Sequence, residues 1–98
     1  MPMNKEDIKL AINNSDLYST SEKLILKELV NISVDLISVM SAKSLKEKTG
    51  LSTTTTYAAL NSLKKRGVII PNINEPNSFT LNKDDMYRLI EIHKNQSK

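Results

Sequence analysis

The chain has 98 residues, 39% of them apolar, with three Tyr, one Phe and no Trp, so a single modest core built from Leu, Ile and Val is expected. It has no Cys, which excludes a disulfide framework and a cysteine-ligated zinc site and fits an intracellular location. A net charge of +3 leans toward polyanionic partners without deciding among them.

At the N-terminus, Asn4, Lys5, Glu6 and Asp7 leave no room for a signal peptide. No apolar stretch approaches the roughly 20 residues that span a bilayer, so a soluble, cytoplasmic protein is expected. Asn4 is placed to cap a first short helix, with Asp7 three residues on as its reciprocal partner. Ile8, Ala11 and Ile12 then share one helical face, and Asn13-Asn14-Ser15-Asp16 breaks the pattern. Residues 1–16 thus read as an N-terminal helical segment.

Ser19 opens the next helix, and Glu22 three residues later completes a capping-box pattern. Leu24, Ile25, Leu26, Leu29, Val30 and Ile32 make this helix strongly apolar, fit for the centre of a core. The segment "SVDLISVM" (residues 33–40) admits two readings. Ile25, Leu29, Ile32, Leu36 and Met40 continue the helical spacing, whereas the Val and Ile content suits a loop and short strand near Val39 and Met40.

Ser41 is the next cap, Leu45 the inward residue, and Gly50 the stop, where a left-handed backbone costs least. Ser52 caps a further helix predicted from Thr53 to Arg66 and ended by Gly67. Two helices joined by a tight glycine-containing turn are the helix-turn-helix signature. Val68-Ile69-Ile70 reads as a strand halted by Pro71. "NINEPN" (72–77) is turn chemistry and "SFTL" (78–81) a second strand, so 68–81 is a predicted hairpin. Asn82, with Asp85, caps a last helix reaching residue 94, on which Met86, Leu89, Ile90 and His93 share a face. Residues 95–98 are a polar tail, and the whole is one domain.

The helix from Thr53 carries the chemistry. Thr56, Ala59, Leu60 and Leu63 fall on one side and are predicted to enter the core. Thr54, Tyr57, Ala58, Asn61 and Lys65 fall on the other, a set without acid or large aliphatic residue. The chain has no Asp or Glu between 51 and 74, whereas an ordinary solvated helix face mixes in acids. Hydroxyls, a phenol, an amide and an ammonium can bond phosphates and base edges. Thr53, Thr54 and Thr55 keep the helix start free of negative charge, so its N–H groups and dipole stay available to a phosphate. One basic cluster, Lys43, Lys46 and Lys48, precedes the threonines, and another, Lys64, Lys65 and Arg66, follows them.

The stretch "SAKSLKEKTGLSTTTTYAALNSLKKRGVI" resembles the helix-turn-helix of winged-helix transcription regulators, most closely the multiple-antibiotic-resistance-regulator type and related small plasmid or phage repressors. "STSEKLILKELV" is similar to that family's first core helix, and the hairpin to its wing. The resemblance covers residues 17 to 81 and rests on pattern rather than on an invariant motif. It implies a mainly α fold with a small β-hairpin: a three-helix core plus wing over 19–81, extended by a terminal helix at each end. It also implies a recognition helix in the major groove and, commonly, a homodimer on a pseudo-palindrome.

By position, Ser52, Thr53, Thr54, Thr55, Tyr57, Ala58 and Asn61 fall where the family meets DNA, and Thr56 where it has a core residue. This chain departs from the family pattern in three places. Ala58 stands where many members carry Arg, the turn "NINEPN" has Glu75 and no cation, and the link before Ser41 is longer.

No nucleophile–base pair, phosphate loop or Gly-rich motif is present, so no catalysis and no cofactor are expected. The lone His93, with no carboxylate pair at ligand spacing, predicts packing rather than a metal site. Asp84 and Asp85 read as capping and dipole residues. Met86, Leu89 and Ile90, with Ile8 and Ile12, could either cover the core or pair in a homodimer. The expectation is a sequence-specific, double-stranded DNA-binding repressor, transcriptional or governing plasmid or phage copy number. Lys43, Lys46, Lys48, Lys64 and Lys65 would meet phosphates. The alternative is a winged-helix module that binds protein.

Overall fold

Ser19 starts the central helix with both halves of the capping box in place. Its Oγ accepts from the Glu22 N–H at 3.2 Å, and Glu22 Oε1 accepts from the Ser19 N–H at 2.8 Å. In the computed structural model, which describes residues 4–96, α1 spans Lys5–Asn13 and α2 Thr20–Ile32. The α1 cap differs from expectation: Asn4 Oδ1 accepts from the Glu6 N–H at 2.8 Å, and Asp7 returns no bond among the described residues.

Residues 33–40 resolve in favour of loop and strand. Ser33 Oγ donates to the Val30 carbonyl at 2.7 Å, a back-bond that competes with helix continuation. The Val34 N–H donates to the Ile37 carbonyl at 2.9 Å and the Ile37 N–H to the Val34 carbonyl at 3.0 Å. Asp35 and Leu36 between them have φ of +52° and +66°. Left-handed backbone at both central residues is what a two-residue hairpin turn requires. It delivers β1, Ile37–Val39, to the sheet.

Next come α3, Ala42–Thr49; α4, Thr53–Lys65; β2, Ile69–Pro71; β3, Ser78–Leu81; and α5, Lys83–Gln96. The wing is therefore part of a three-stranded antiparallel sheet of order β1-β3-β2, not an isolated hairpin. Ile37 pairs with Thr80, which pairs in turn with Ile70. β2 ends at Pro71, as expected, with the proline as its last residue, which an edge strand tolerates because the position facing outward needs no N–H partner. α5 begins where Asn82 Oδ1 accepts from the Asp84 and Asp85 N–H groups. It reaches Gln96, into the expected tail, of which residues 97 and 98 lie outside the described residues.

The core gathers Ile25, Leu26, Leu29 and Val30 of α2, Leu45 of α3, and Ala59, Leu60 and Leu63 of α4. Ile69, Phe79 and Leu81 close it from the sheet's inner face. Each fully buried Leu or Ile contributes about 1.5–3 kcal/mol relative to exposure. α1 and α5 pack against each other, with Ile8, Ala11, Ile12, Met86 and Leu89 all buried in the same core. Of the two ends left open for the terminal apolar faces, covering the core is met by Ile8, Ile12, Met86 and Leu89, while Ile90 is half-buried and Leu10, Tyr87 and Ile92 of the same helices stay exposed.

Gly50 ends α3 at φ +75°, and a Cβ built there would meet nothing within 4 Å. Gly50→Ala is therefore expected to cost about 1–2 kcal/mol from backbone strain alone, read as a lower urea midpoint with unchanged m.

Candidate nucleic-acid interface

Three residues, Gly50, Leu51 and Ser52, separate α3 from α4. Thr49 Oγ1 donates to the Leu45 carbonyl at 2.7 Å and accepts from the Leu51 N–H at 3.3 Å, which fixes the exit from α3. Ser52 then caps α4, its Oγ accepting from the Thr55 N–H at 3.1 Å and donating to Thr55 Oγ1 at 2.9 Å.

The four threonines separate into distinct roles. Thr56 is 1% exposed, and its Oγ1 donates to the Ser52 carbonyl at 2.8 Å, so an inward hydroxyl costs little. Thr55 is half-buried and bound into the cap, not part of a fully exposed start. Thr53 and Thr54 are exposed. Their backbone N–H groups have no partner among the described residues, as the first turn of a helix leaves them.

Tyr57, Ala58, Asn61, Lys64 and Lys65 continue the exposed face, with Tyr57 53% exposed. Lys43 and Lys46 are exposed on α3. None of these four lysines forms an ion pair among the described residues. Lys48 is also exposed but stands on a different side of α3, over a groove shared with Val34, Ile37 and Val39. The structure thus brings the α4 residues together and leaves Lys48 apart.

Arg66, one of the expected basic block, folds back along the surface toward α2. Its Nη1 lies 3.4 Å from Glu22 Oε2, its Nη2 donates to the Leu17 carbonyl at 2.8 Å, and the guanidinium stands 4.9 Å from the Tyr18 ring centroid. Ser62 Oγ of α4 donates to the same Glu22 oxygen at 2.7 Å. Burial pushes the Glu22 carboxyl pKa up. The Ser19 N–H, the Ser62 and Ser19 bonds and the Arg66 charge outweigh it, and hold the pKa below the ordinary glutamate range. One carboxylate therefore caps α2 with one oxygen and holds α4 with the other.

That clasp has a neighbour which sequence reasoning missed. Ser19 and Ser21 at the start of α2 line a shallow cleft with Thr54, Thr55, Ala58 and Ser62 of α4. The α2 start thereby flanks the exposed face, and a second capping serine so close in space had no local signal. The wing turn carries Glu75 and no cation, and Ile73 at its tip is fully exposed.

Three core helices, the last two joined by a glycine-ended turn, and a three-stranded sheet make a winged helix-turn-helix fold. The structure of FixK2 from Bradyrhizobium japonicum shares it, with a TM-score of 0.51 at 21% identity over 86% of this chain. The chain spans 43% of FixK2, and at that identity the likeness is one of fold. No family model and no curated protein matches the sequence. No described helix is long and apolar enough to cross a membrane.

Proposed function

We propose that the chain is a sequence-specific, double-stranded DNA-binding protein acting as a homodimeric transcriptional or plasmid/phage copy-number regulator in the cytoplasm, with α4 in the major groove. The observation that carries this reading is the exposed face of α4. It joins two uncovered backbone N–H groups, hydroxyls, Tyr57 and Asn61 to Lys64 and Lys65, in a stretch without acid between residues 51 and 74. A winged helix-turn-helix presents this helix as its reading element.

Within the reading, Thr53, Thr54, Ser52 and the lysines other than Lys48 position the duplex, and Asn61 reads a base edge, best an adenine. Thr55 contributes through the cap, and Ala58 leaves a gap where an apolar contact with a thymine methyl fits. Asn61→Ala is expected to lower the ratio of specific to random duplex affinity about 5- to 100-fold, the worth of one bidentate base contact. Lys65→Ala should weaken both duplexes together and flatten the salt slope by about 1. Gel shifts across a salt series check both, and equal loss on specific and random duplex from both changes would contradict the assignment.

A second reading, a winged-helix module that binds protein, is favoured by the wing's lack of cations. A gel shift against genomic fragments at physiological salt separates the two, because retained binding there requires phosphate contacts.

A further inference from the structure

The outward face of the sheet carries exposed aliphatic side chains at its edges. Ile37, Thr80 and Ile70 form one cross-strand row, while Ser38, Phe79 and Leu81 point to the core. Val39, 59% exposed, follows on the same side, and Val34 beside the turn is more exposed still. Between this strip and α3 runs the groove lined by Val34, Ile37, Val39 and Met40, whose two charged members are Asp35 and Lys48.

We infer that this groove and strip form the homodimer interface, each copy laying its β1 face against the groove of the other. The inference rests on the homodimer part of the proposed function. On the terminal helices the main apolar stripes are buried in the core, which leaves Leu10, Tyr87 and Ile92 exposed there, whereas the β1 strip and its groove are open along their length. Backbone pairing along β1 is occupied at Ile37, whose N–H and carbonyl are both bonded to Val34, and the strand is only three residues long, so contact comes mainly through side chains. A two-fold axis sets residue i of one copy against j of the other and j against i. With one acid and one base in the patch, a two-fold that sets Asp35 against the partner's Lys48 makes that ion pair twice over. DNA does not fit here, since the acid stands in the same groove as the one cation.

Sedimentation of the full chain at micromolar concentrations, without DNA, tests the inference. The native protein should sediment as a dimer. Val39→Glu, at a position exposed in the monomer, should raise the dimer dissociation constant about a hundredfold or more, because the two-fold buries two unpaired carboxylates. Circular dichroism on the same samples reports that the variant is folded. Asp35→Lys or Lys48→Glu alone should weaken the dimer, and the two together should restore it.

A strict monomer at these concentrations overturns both the interface and the homodimer reading, leaving DNA binding to the gel shift. A dimer indifferent to Val39→Glu overturns the interface and leaves the homodimer standing.

Discussion

Glu22→Ala is expected to lower stability by about 3 kcal/mol, because it strands several partners of a nearly buried carboxylate at once. The Ser19 N–H, the Ser62 hydroxyl and one face of the Arg66 guanidinium all lose their acceptor. Arg66 is partly exposed and keeps the Leu17 carbonyl, which holds the figure below that of a fully buried pair. For a domain of this size the loss corresponds to about 12–24 °C in melting temperature, checked by calorimetry. Glu22→Gln should cost less, since an amide can still accept from Ser62 or from the Ser19 N–H.

The same group sets an acid dependence. Its folded pKa lies below its ordinary value, so the unfolded state takes up the proton first as pH falls. The stabilisation is complete above the ordinary glutamate range and is lost as pH drops through the folded value. Urea midpoints of the native protein should therefore fall on acidification, and those of Glu22→Gln should fall less. Equal slopes would mean that the bonds to Glu22 do not favour its charged form.

Local rules account for what the sequence reveals and what it hides. The caps at Ser19, Ser41 and Ser52, the stop at Gly50 and the inward turn of Thr56 all follow from chemistry within four residues of each site, and all were legible. β1 was not. Ile32, Leu36 and Met40 keep a helical spacing that the backbone does not follow. The breaker is a left-handed pair, Asp35 and Leu36, at positions where glycine is the usual signal. Leu36 holds that conformation with its side chain packed against the core, a tertiary reward that no local pattern announces.

The candidate interface divides in the same way. The α4 face could be read from helical spacing alone. The folding back of Arg66 toward α2 could not, because Glu22 lies 44 residues away and had already been given a local role as the capping partner of Ser19. It holds both roles, one for each oxygen. Lys48 was grouped with Lys43 and Lys46 by sequence distance, while the helix turns it to another side.

Thr54→Glu should separate DNA binding from stability more sharply than any alanine change. An acid in the first turn favours the helix dipole and adds about 0.3–1 kcal/mol to stability. The Thr54 side chain is exposed and bonds to nothing among the described residues, so no packing is lost. If α4 meets a phosphate at its start, the same carboxylate stands within several ångströms of a second negative charge. Repulsion of about 1–4 kcal/mol follows, depending on how far water is excluded. Affinity for specific and random duplex alike should then fall about 5- to 1,000-fold, while the melting temperature stays level or rises. A gel-shift titration paired with thermal melting measures both quantities on one sample. Unchanged affinity would mean that the α4 N-terminus never approaches the backbone, and the major-groove placement would fail. A fall in both affinity and melting temperature would instead point to a role for Thr54 in holding the α2–α4 cleft.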